Sequence, residues 1–198
     1  MDAREEAGHG VGLEAHGVTI RERVPEKRTG KGTGDYHPRM GERTSAGILL
    51  YRRSDADGAL EVLLAHPGGP YFAKRDLGDW TIPKGEPDGR HEPLDAVARR
   101  EFEEETGTAL DAAAPTIELG SIVQKGGKVV HAWAVEGDLD PAAARSNEIE
   151  IEWPPRSGRR KRFPEIDRVE WFGPIEARRR IKSTQAPLID RLEEALSR

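Results

Sequence analysis

From Thr44 onward, apolar and polar residues follow each other in short blocks, and each block predicts one element of secondary structure. SAGILLYRR and ALEVLLAHP are two apolar runs separated by the turn-forming segment SDADG, which predicts a β-hairpin. TIELGSIVQK and KVVHAWAVEG predict a second hairpin around Gly126 and Gly127. Strict alternation in NEIEIEW predicts a strand with glutamates on one face and apolar side chains on the other.

Helices and irregular segments complete the pattern. A helical period runs from Glu92 to Thr106, and PIEARRRI and APLIDRLEEALSR predict two closing helices. GDWTIPKG predicts a short strand that ends at Pro83, PPRSGRRKRFPE a loop, and DRVEWF a last strand. Hairpins combined with a central helix and terminal helices predict an α/β or α+β sandwich.

The first 43 residues differ in composition and in hydrophobic pattern from the rest of the chain. They contain many glycines and mixed charges and have no sustained apolar period, so they cannot bury enough apolar area to fold alone. With 198 residues, of which 35% are hydrophobic, the chain has room for one domain. We expect a disordered extension at 1–43 and a single domain at 44–198.

Composition limits the possible chemistry. The chain has no cysteine, which excludes disulfides, thiolate zinc sites and cysteine nucleophiles. A net charge of −5 argues against a general nucleic-acid coat protein. No apolar run approaches the roughly 18 residues of a membrane span, and the N-terminus lacks the pattern of a secretory signal. We therefore expect a cytoplasmic protein that does not enter the membrane.

The helix predicted at 92–106 has an unusual pair of acidic residues, Glu101 and Glu105, from here on the carboxylate ladder. Its apolar stripe consists of Leu94, Val97, Ala98 and Phe102. Glu101 and Glu105 fall inside that stripe, where two carboxylates one turn apart repel each other and lose hydration. A bound hard cation such as Mg²⁺ or Mn²⁺ would compensate both charges, because carboxylate oxygens suit these ions better than zinc. The competing interpretation is a solvated acidic helix face.

The surrounding residues favour the metal site. GEPDGRHEPLDAVARREFEEETGT resembles the Nudix box, G-x5-E-x7-R-E-U-x-E-E-x-G-U, where U is a bulky apolar residue. Two positions depart from this pattern: six residues rather than five separate Gly85 from Glu92, and Thr108 replaces the last apolar residue. The first departure predicts a loop one residue longer before the helix.

The resemblance implies the Nudix α/β/α sandwich, with a mixed central sheet and the box helix packed against it. It implies Glu101 and Glu105 as the principal ligands of Mg²⁺ or Mn²⁺, and Glu104 as a further ligand or base. Arg100 would orient Glu101 by a charge-assisted hydrogen bond, and a backbone carbonyl near Gly85 would complete the site. The expected activity is hydrolysis of a pyrophosphate linkage in a nucleoside diphosphate derivative.

Residues outside the box offer candidates for the remaining roles. Glu150 is our choice for the further glutamate that often assists in this family, and an outward strand face is the alternative. Lys84 belongs to WTIPKG, which resembles a segment before the box in Nudix members acting on dinucleoside polyphosphates, diphosphoinositol phosphates or capped RNA. His66, Tyr71 and Arg159 are further candidates for substrate binding, and each has a purely structural or solvated alternative.

The sequence leaves the substrate open. A nucleoside triphosphate or dinucleoside polyphosphate is the first hypothesis, and an RNA 5′ end or a diphosphoinositol phosphate is the alternative. RNA is possible because RSGRRKRF clusters five basic residues, but this cluster is equally compatible with a solvated loop. A Nudix-fold sensor that binds a nucleotide without cutting it is the third hypothesis. A homodimer is possible.

Overall fold

The computed structural model describes residues 43–89 and 91–198. Eight strands and three helices follow in the order β1 Thr44–Arg53, β2 Leu60–Pro67, β3 Lys84–Gly85, α1 Leu94–Thr106, β4 Thr116–Val123, β5 Val129–Glu136, β6 Glu148–Glu152, β7 Arg160–Pro164, β8 Ile166–Phe172, α2 Pro174–Arg180 and α3 Ala186–Leu196.

A mixed six-stranded sheet forms the middle of the domain. Its order is β4-β5-β1-β2-β8, and the short β3 pairs with the beginning of β1. β1 and β5 are parallel over eight residue pairs, from Thr44 opposite Val129 to Tyr51 opposite Glu136, whereas the other pairs in this sheet are antiparallel. The parallel pair lies at the centre, where both faces of the sheet are covered.

Alternate residues of β1 serve the two faces of the sheet. On one face, Ile48 and Leu50 belong to a buried cluster with Phe102 of α1. On the other face, Leu49 belongs to a second cluster with Leu188 of α3. The period of two in β1 therefore places α1 on one side of the sheet and α2 and α3 on the other. The expected α/β/α sandwich with a mixed central sheet is confirmed.

Most of the predicted elements are present, and three need correction. Helix α1 begins at Leu94, two residues later than the helical period indicated. GDWTIPKG is not a continuous strand ending at Pro83. Trp80 and Thr81 form only isolated bridges, and the strand is Lys84–Gly85 after the proline. Pro83 has no N–H for a ladder hydrogen bond, which interrupts the strand there.

The loop predicted for PPRSGRRKRFPE is wrong. Residues Arg160–Pro164 form β7, which pairs antiparallel with β6 in a separate two-stranded sheet, from here on the β6–β7 ribbon. The charge pattern explains the pairing, because Glu150 lies opposite Arg162 and Glu152 opposite Arg160. Opposite charges on facing strands stabilise a ribbon that the basic sequence of β7 does not predict.

The predicted extension at 1–43 lies outside the described residues, apart from Arg43. Within the part of the chain that the structure describes, no helix is both long and apolar enough to cross a membrane.

Candidate active site

The C-terminal end of helix α1 and its buried face set the direction of its acidic side chains. Gly107 follows the helix with a left-handed backbone (φ 74°) and donates its N–H to the carbonyl of Glu103 at 2.7 Å. Thr106 is fully buried and its hydroxyl donates to the carbonyl of Phe102. With Phe102 fixed in the core, Glu101 and Glu105 are placed on the side of the helix that faces β3.

Arg100 connects the acidic residues of the box. Its guanidinium donates to Glu92 at 3.0 Å, to Glu101 at 2.8 Å and to Glu104 at 3.2 Å. It also donates to the carbonyl of Glu86. These side-chain hydrogen bonds raise the pKa of Arg100, and the bond to Glu92 has the largest effect. Glu92 thus reaches Arg100 despite the additional residue in the preceding loop, and Arg100 fixes the orientation of Glu101.

Gly85 lies against the carboxylate of Glu101. A Cβ atom built on Gly85 would lie 1.8 Å from Oε2 of Glu101, far inside van der Waals contact. Any side chain at this position would therefore displace the Glu101 carboxylate from its position beside Arg100. Glycine leaves room for the close approach of β3 to α1.

Glu105 is the most deeply buried carboxylate of the helix, with 5% of its surface exposed. It accepts a hydrogen bond from the backbone N–H of Lys84 at 3.0 Å. Burial raises the pKa of Glu105 to about 8, against the opposing charge of Lys84, and Glu165 and Glu101 raise it further. Burial likewise raises the pKa of Glu101, whereas Arg100 lowers it. The site therefore disfavours negative charge on both carboxylates unless a cation is added.

Glu165 is a further carboxylate near this ladder. Its negative charge contributes to the raised pKa values of both Glu101 and Glu105. Its backbone N–H donates to the carbonyl of Asn147, whose own N–H donates to the carbonyl of Glu104 at 3.1 Å. The segment before β8 is therefore linked to the end of α1 by two backbone hydrogen bonds. The sequence did not single out Glu165, because it lies 60 positions after Glu105 in a charged stretch without a motif.

The structure places Glu150, our choice from sequence, in a different setting. Its side chain is 51% exposed on the β6–β7 ribbon and forms an ion pair with Arg160 at 3.2 Å. Arg162 approaches Glu148 at 4.0 Å on the same face. The charge of Glu165, by contrast, acts on both Glu101 and Glu105.

His66 belongs to the interior of the domain rather than to an open site. It is fully buried in β2, its Nδ1 lies 2.7 Å from a carboxylate oxygen of Asp167, and its Nε2 lies 2.8 Å from the carbonyl of Arg75. Its ring packs edge-on against Trp80 at 5.1 Å between centroids. Both ring nitrogens are engaged by protein acceptors, so His66 positions the segment between Arg75 and Trp80. This buried setting favours the structural alternative for His66 over substrate binding.

Tyr71 and Arg159 remain accessible. Tyr71 is 49% exposed, and its ring lies edge-on to Trp153 at 5.3 Å between centroids. Arg159 is exposed in the turn between β6 and β7. The loop that carries Tyr71 begins at Gly68, whose N–H donates to the carbonyl of Glu165. The loop that carries Tyr71 is therefore hydrogen-bonded to Glu165 through Gly68.

A cavity of about 190 Å³ lies next to Glu105, near the C-terminal end of α1. Its walls come from residues within the segments 141–146 and 166–169, including Arg145 and Arg168. Arg145 is anchored to the helix because its N–H donates to the carbonyl of Thr106 at 2.9 Å. The cavity next to Glu105 is therefore lined in part by the positively charged side chains of Arg145 and Arg168.

The oxygen ligands at the site suit a hard divalent ion that takes its remaining ligands from water and from the phosphates of a substrate. Across residues 43–89 and 91–198, no three His, Cys, Asp or Glu side chains are grouped closely enough to hold a metal ion by themselves. Magnesium typically uses one or two carboxylates and takes its other ligands from water and substrate phosphates. Glu101 and Glu105, with Gly85 packed against Glu101, provide that number of carboxylates.

Comparison with known families decides how this geometry is classified. The profile of the NUDIX domain matches residues 41–192, which is most of the chain. The chain belongs to the Nudix family. The family resemblance expected from the box is confirmed, and with it the class of pyrophosphohydrolase, whose members generally use divalent metal ions. A search of curated protein sequences found no match.

Solved structures share the Nudix fold at low sequence identity. The NUDIX domain of Shewanella oneidensis NrtR complexed with ADP ribose has a TM-score of 0.54 and 16% identity, over 78% of this chain and 88% of that one. A MutT/nudix family protein from Listeria innocua gives 0.52 and 18%, over 78% and 94%. A binary complex of Caenorhabditis elegans Ap4A hydrolase gives 0.50 and 18%, over 77% and 98%. These likenesses establish the fold.

Proposed function

We propose that this Nudix protein hydrolyses a pyrophosphate linkage in a nucleoside triphosphate or a dinucleoside polyphosphate, with Mg²⁺ or Mn²⁺ as cofactor. The observation that carries the proposal is that the buried Glu105 and the partly buried Glu101 lie one helical turn apart. Their raised pKa values mean that the protein alone compensates these two carboxylates poorly, and a divalent ion would remove this electrostatic cost.

Each residue of the site has a proposed role. Glu101 and Glu105 would hold the metal ion with the carbonyl of Gly85, and Glu104, whose side chain is 43% exposed, would serve as a further ligand or base. Arg100 orients Glu101 through their 2.8 Å hydrogen bond. When bound, a divalent ion neutralises phosphate oxygens and promotes attack of water on phosphorus. The protein residues position the diphosphate and accept the proton of that water.

Glu165 is the proposed outside carboxylate for this proton transfer or for a second metal ion. Its charge acts on Glu101 and Glu105, and its backbone is linked to α1 through Asn147. Glu150 remains the alternative, although its carboxylate is engaged with Arg160. A general base must come within hydrogen-bond reach of the attacking water, and the position of Glu165 beside the ladder favours it.

The substrate is proposed to extend from the carboxylate ladder in two directions. Lys84 supplies positive charge beside Glu105 for a phosphate group. Tyr71, with Trp153, offers a half-exposed aromatic surface on the side of Glu165, where a base can stack, and Arg159 is a further contact at the ribbon turn. The Ap4A hydrolase and the ADP-ribose complex among the structures that share this fold support a nucleotide substrate.

Hydrolysis of an RNA 5′ end receives less support. Arg160 and Arg162 of the basic cluster lie within 4.0 Å of Glu150 and Glu148, so part of its charge is neutralised within the β6–β7 ribbon. Nucleic-acid affinity depends on unpaired cations that face phosphates. Diphosphoinositol phosphates and non-catalytic nucleotide binding stay as alternatives for the assay to decide.

A panel of substrates tests this proposal. Nucleoside triphosphates, dinucleoside polyphosphates, ADP-ribose, diphosphoinositol phosphates and triphosphorylated RNA would be incubated with Mg²⁺, with Mn²⁺ and with EDTA, and products identified by mass. We expect metal-dependent cleavage of a nucleoside triphosphate or dinucleoside polyphosphate. Tight nucleotide binding without turnover over hours, with metal present, would instead establish a sensor and reject the proposal.

A further inference from the structure

Four cationic residues from four separate segments lie near the β3 side of the site, and their charges act on one another or on Glu86. They are Arg43, Lys84, Lys128 and Lys182, from here on the cationic rim. Arg43 precedes β1, Lys84 begins β3, Lys128 immediately precedes β5, and Lys182 lies between α2 and α3. The basic residues of the β6–β7 ribbon are not part of this group.

The register of the sheet brings three members of the rim together. Arg43 is adjacent to Val129, because the N–H of Val129 donates to the carbonyl of Arg43 at 2.9 Å. Lys84 lies opposite Gly47 on the same strand, β1. The rim is therefore built on three neighbouring strands, β3, β1 and β5, near the start of β1.

Lys182 is brought to the rim from the helical layer. Its backbone N–H donates to the carbonyl of Trp80 at 2.8 Å, and the preceding Ile181 forms a parallel bridge with Trp80. Gln185, fully buried, accepts hydrogen bonds from the backbone N–H of Ile82 and the hydroxyl of Thr81. The segment that carries Lys182 is thus fastened to the WTIPKG segment that carries Lys84.

The side chain of Lys84 lies on the same side of the sheet as this helical layer. A Cβ built on Gly47 would lie 2.6 Å from Cβ of Lys84, so both residues point to the face covered by α2 and α3. Gly85, the next residue, faces α1 and Glu101. Lys84 therefore links the acidic helix to the cationic rim. Its backbone N–H donates to Glu105, and its side chain lies on the face of the sheet that carries Lys182.

The rim has fewer carboxylate partners than cations. Lys128 forms an ion pair with Glu86 at 2.9 Å, whereas Lys84 and Lys182 have no side-chain ion pair among the described residues. Burial, and then the charge of Lys84, lower the pKa of Lys182, while the carboxylates of Asp79 and Glu105 act in the opposite direction. A half-buried lysine beside another lysine is a costly arrangement that a bound anion would relieve.

We infer that the cationic rim binds phosphate groups beyond the pyrophosphate bond that is cut, so that the site favours a substrate with a run of several phosphates. This inference rests on the proposed function, because it assigns the remaining phosphates of the same substrate. A linear polyphosphate between nucleosides and a ring that carries several phosphates share the required chemistry. Lys182 and Lys128 then set the preference for phosphate number, and α1 supplies the groups for hydrolysis.

The direct test is calorimetric titration of the full chain with inorganic tripolyphosphate in EDTA. We expect Lys182→Gln to raise the Kd about 10-fold, the effect of losing one charge-assisted hydrogen bond. Lys128→Gln should weaken binding in the same direction and serves if the Lys182 variant does not fold, which thermal unfolding would show. The matched control is Lys161→Gln, which removes one charge from the β6–β7 ribbon and should leave the Kd within about twofold.

The same titration with inositol hexakisphosphate identifies the source of the phosphates. Tighter binding of tripolyphosphate points to a linear chain, and tighter binding of the inositol compound points to phosphates on a ring. Equal Kd values for the wild type, Lys182→Gln and Lys128→Gln would overturn the inference. Because the titration needs neither metal nor turnover, its failure is distinct from failure of the substrate panel, which tests hydrolysis alone.

A kinetic measurement separates binding by the rim from a general structural effect. Diadenosine hexaphosphate and ATP would be compared in the wild type and in Lys182→Gln. We expect KM for the hexaphosphate to rise about 10-fold, with kcat within about twofold and a smaller change for ATP. An equal rise in KM for both substrates would contradict a role in phosphate number.

Discussion

The carboxylate of Glu105 accepts a hydrogen bond from the backbone N–H of Lys84 at 3.0 Å. This contact ties the acidic helix to the WTIPKG segment, 21 positions earlier in the chain. Since Gly85 also packs against Glu101, two consecutive residues of β3 determine where both carboxylates of the ladder lie. The geometry of the site thus depends on β3 as much as on the helix.

Replacement of Glu105 should separate stability from activity. In Glu105→Gln, the buried charge is removed while the side chain keeps its size, so we expect the metal-free protein at pH 8 to gain at least about 1 kcal/mol in the free energy of unfolding. Turnover should fall more than about 100-fold, the upper end of the losses for residues that only support metal ligands. Denaturant unfolding and a turnover assay measure the two effects.

Glu103→Gln is the matched control, because Glu103 is exposed on the same helix. It should change neither stability nor turnover appreciably. Loss of stability in Glu105→Gln would show that the Glu105 carboxylate does not carry an electrostatic cost in the folded protein.

The raised pKa of Glu105 predicts the pH dependence of stability. Between its ordinary value of 4.5 and about 8, Glu105 is protonated in the folded protein and ionised in the unfolded chain. The folded state then binds more protons, so the contribution of this group to the free energy of unfolding falls as pH rises through this window. Below 4.5 it is zero, and above 8 the loss is complete and constant.

Thermal unfolding of metal-free protein from pH 5 to pH 9 checks this dependence. Comparison with Glu105→Gln isolates the group, since the difference in unfolding free energy between the two proteins should grow with pH. The magnesium-saturated wild type should lose less stability over the same range, because the ion favours the ionised carboxylate. A difference that is independent of pH would refute the assignment.

Addition of a single methyl group at Gly85 should disrupt the site. In Gly85→Ala the new Cβ would lie 1.8 Å from Oε2 of Glu101, so the carboxylate must move out of its position beside Arg100. We expect affinity for Mn²⁺ and turnover to fall at least about 10-fold, as when the groups that orient metal ligands are removed. Gly89→Ala is the control, because a Cβ there meets no atom within 4 Å. Equal activity in the two variants would contradict the close approach.

Glu165 and Glu150 can be distinguished by the same substitution. If Glu165 acts as base, Glu165→Gln should lower kcat about 100-fold or more, whereas Glu150→Gln should stay within about threefold. The pH profile of kcat should lose its acidic limb in the Glu165 variant alone. The reverse ranking would return the role to Glu150 and the β6–β7 ribbon.

The sequence predicts the parts of the site that are local in the chain. Glu101 and Glu105 are one turn apart on α1, and their side of the helix follows from the helical period together with Val97 and Phe102. The order of hairpins and helices likewise follows from blocks of apolar residues. These features depend on spacing of a few residues, which can be read without tertiary structure.

Features that depend on distant pairing were missed. Glu165 and Lys182 reach the site through backbone hydrogen bonds to Asn147 and Trp80, and no local pattern specifies those contacts. The sequence of β7 alone predicts a loop, because its pairing with β6 depends on charges on the partner strand. The acceptors of His66, Asp167 and the carbonyl of Arg75, are distant in sequence, so no local pattern predicts the buried position of this histidine.

The central claim is that Glu101 and Glu105 hold a divalent ion, and titration of the protein with Mn²⁺ followed by electron paramagnetic resonance tests it most directly. We predict saturable binding below millimolar Mn²⁺ in the wild type and in Glu103→Gln, with at least about 10-fold weaker binding in Glu101→Gln and Glu105→Gln. Wild-type protein that takes up no Mn²⁺ at millimolar concentration, or binding that is unchanged in both ladder variants, would contradict the account.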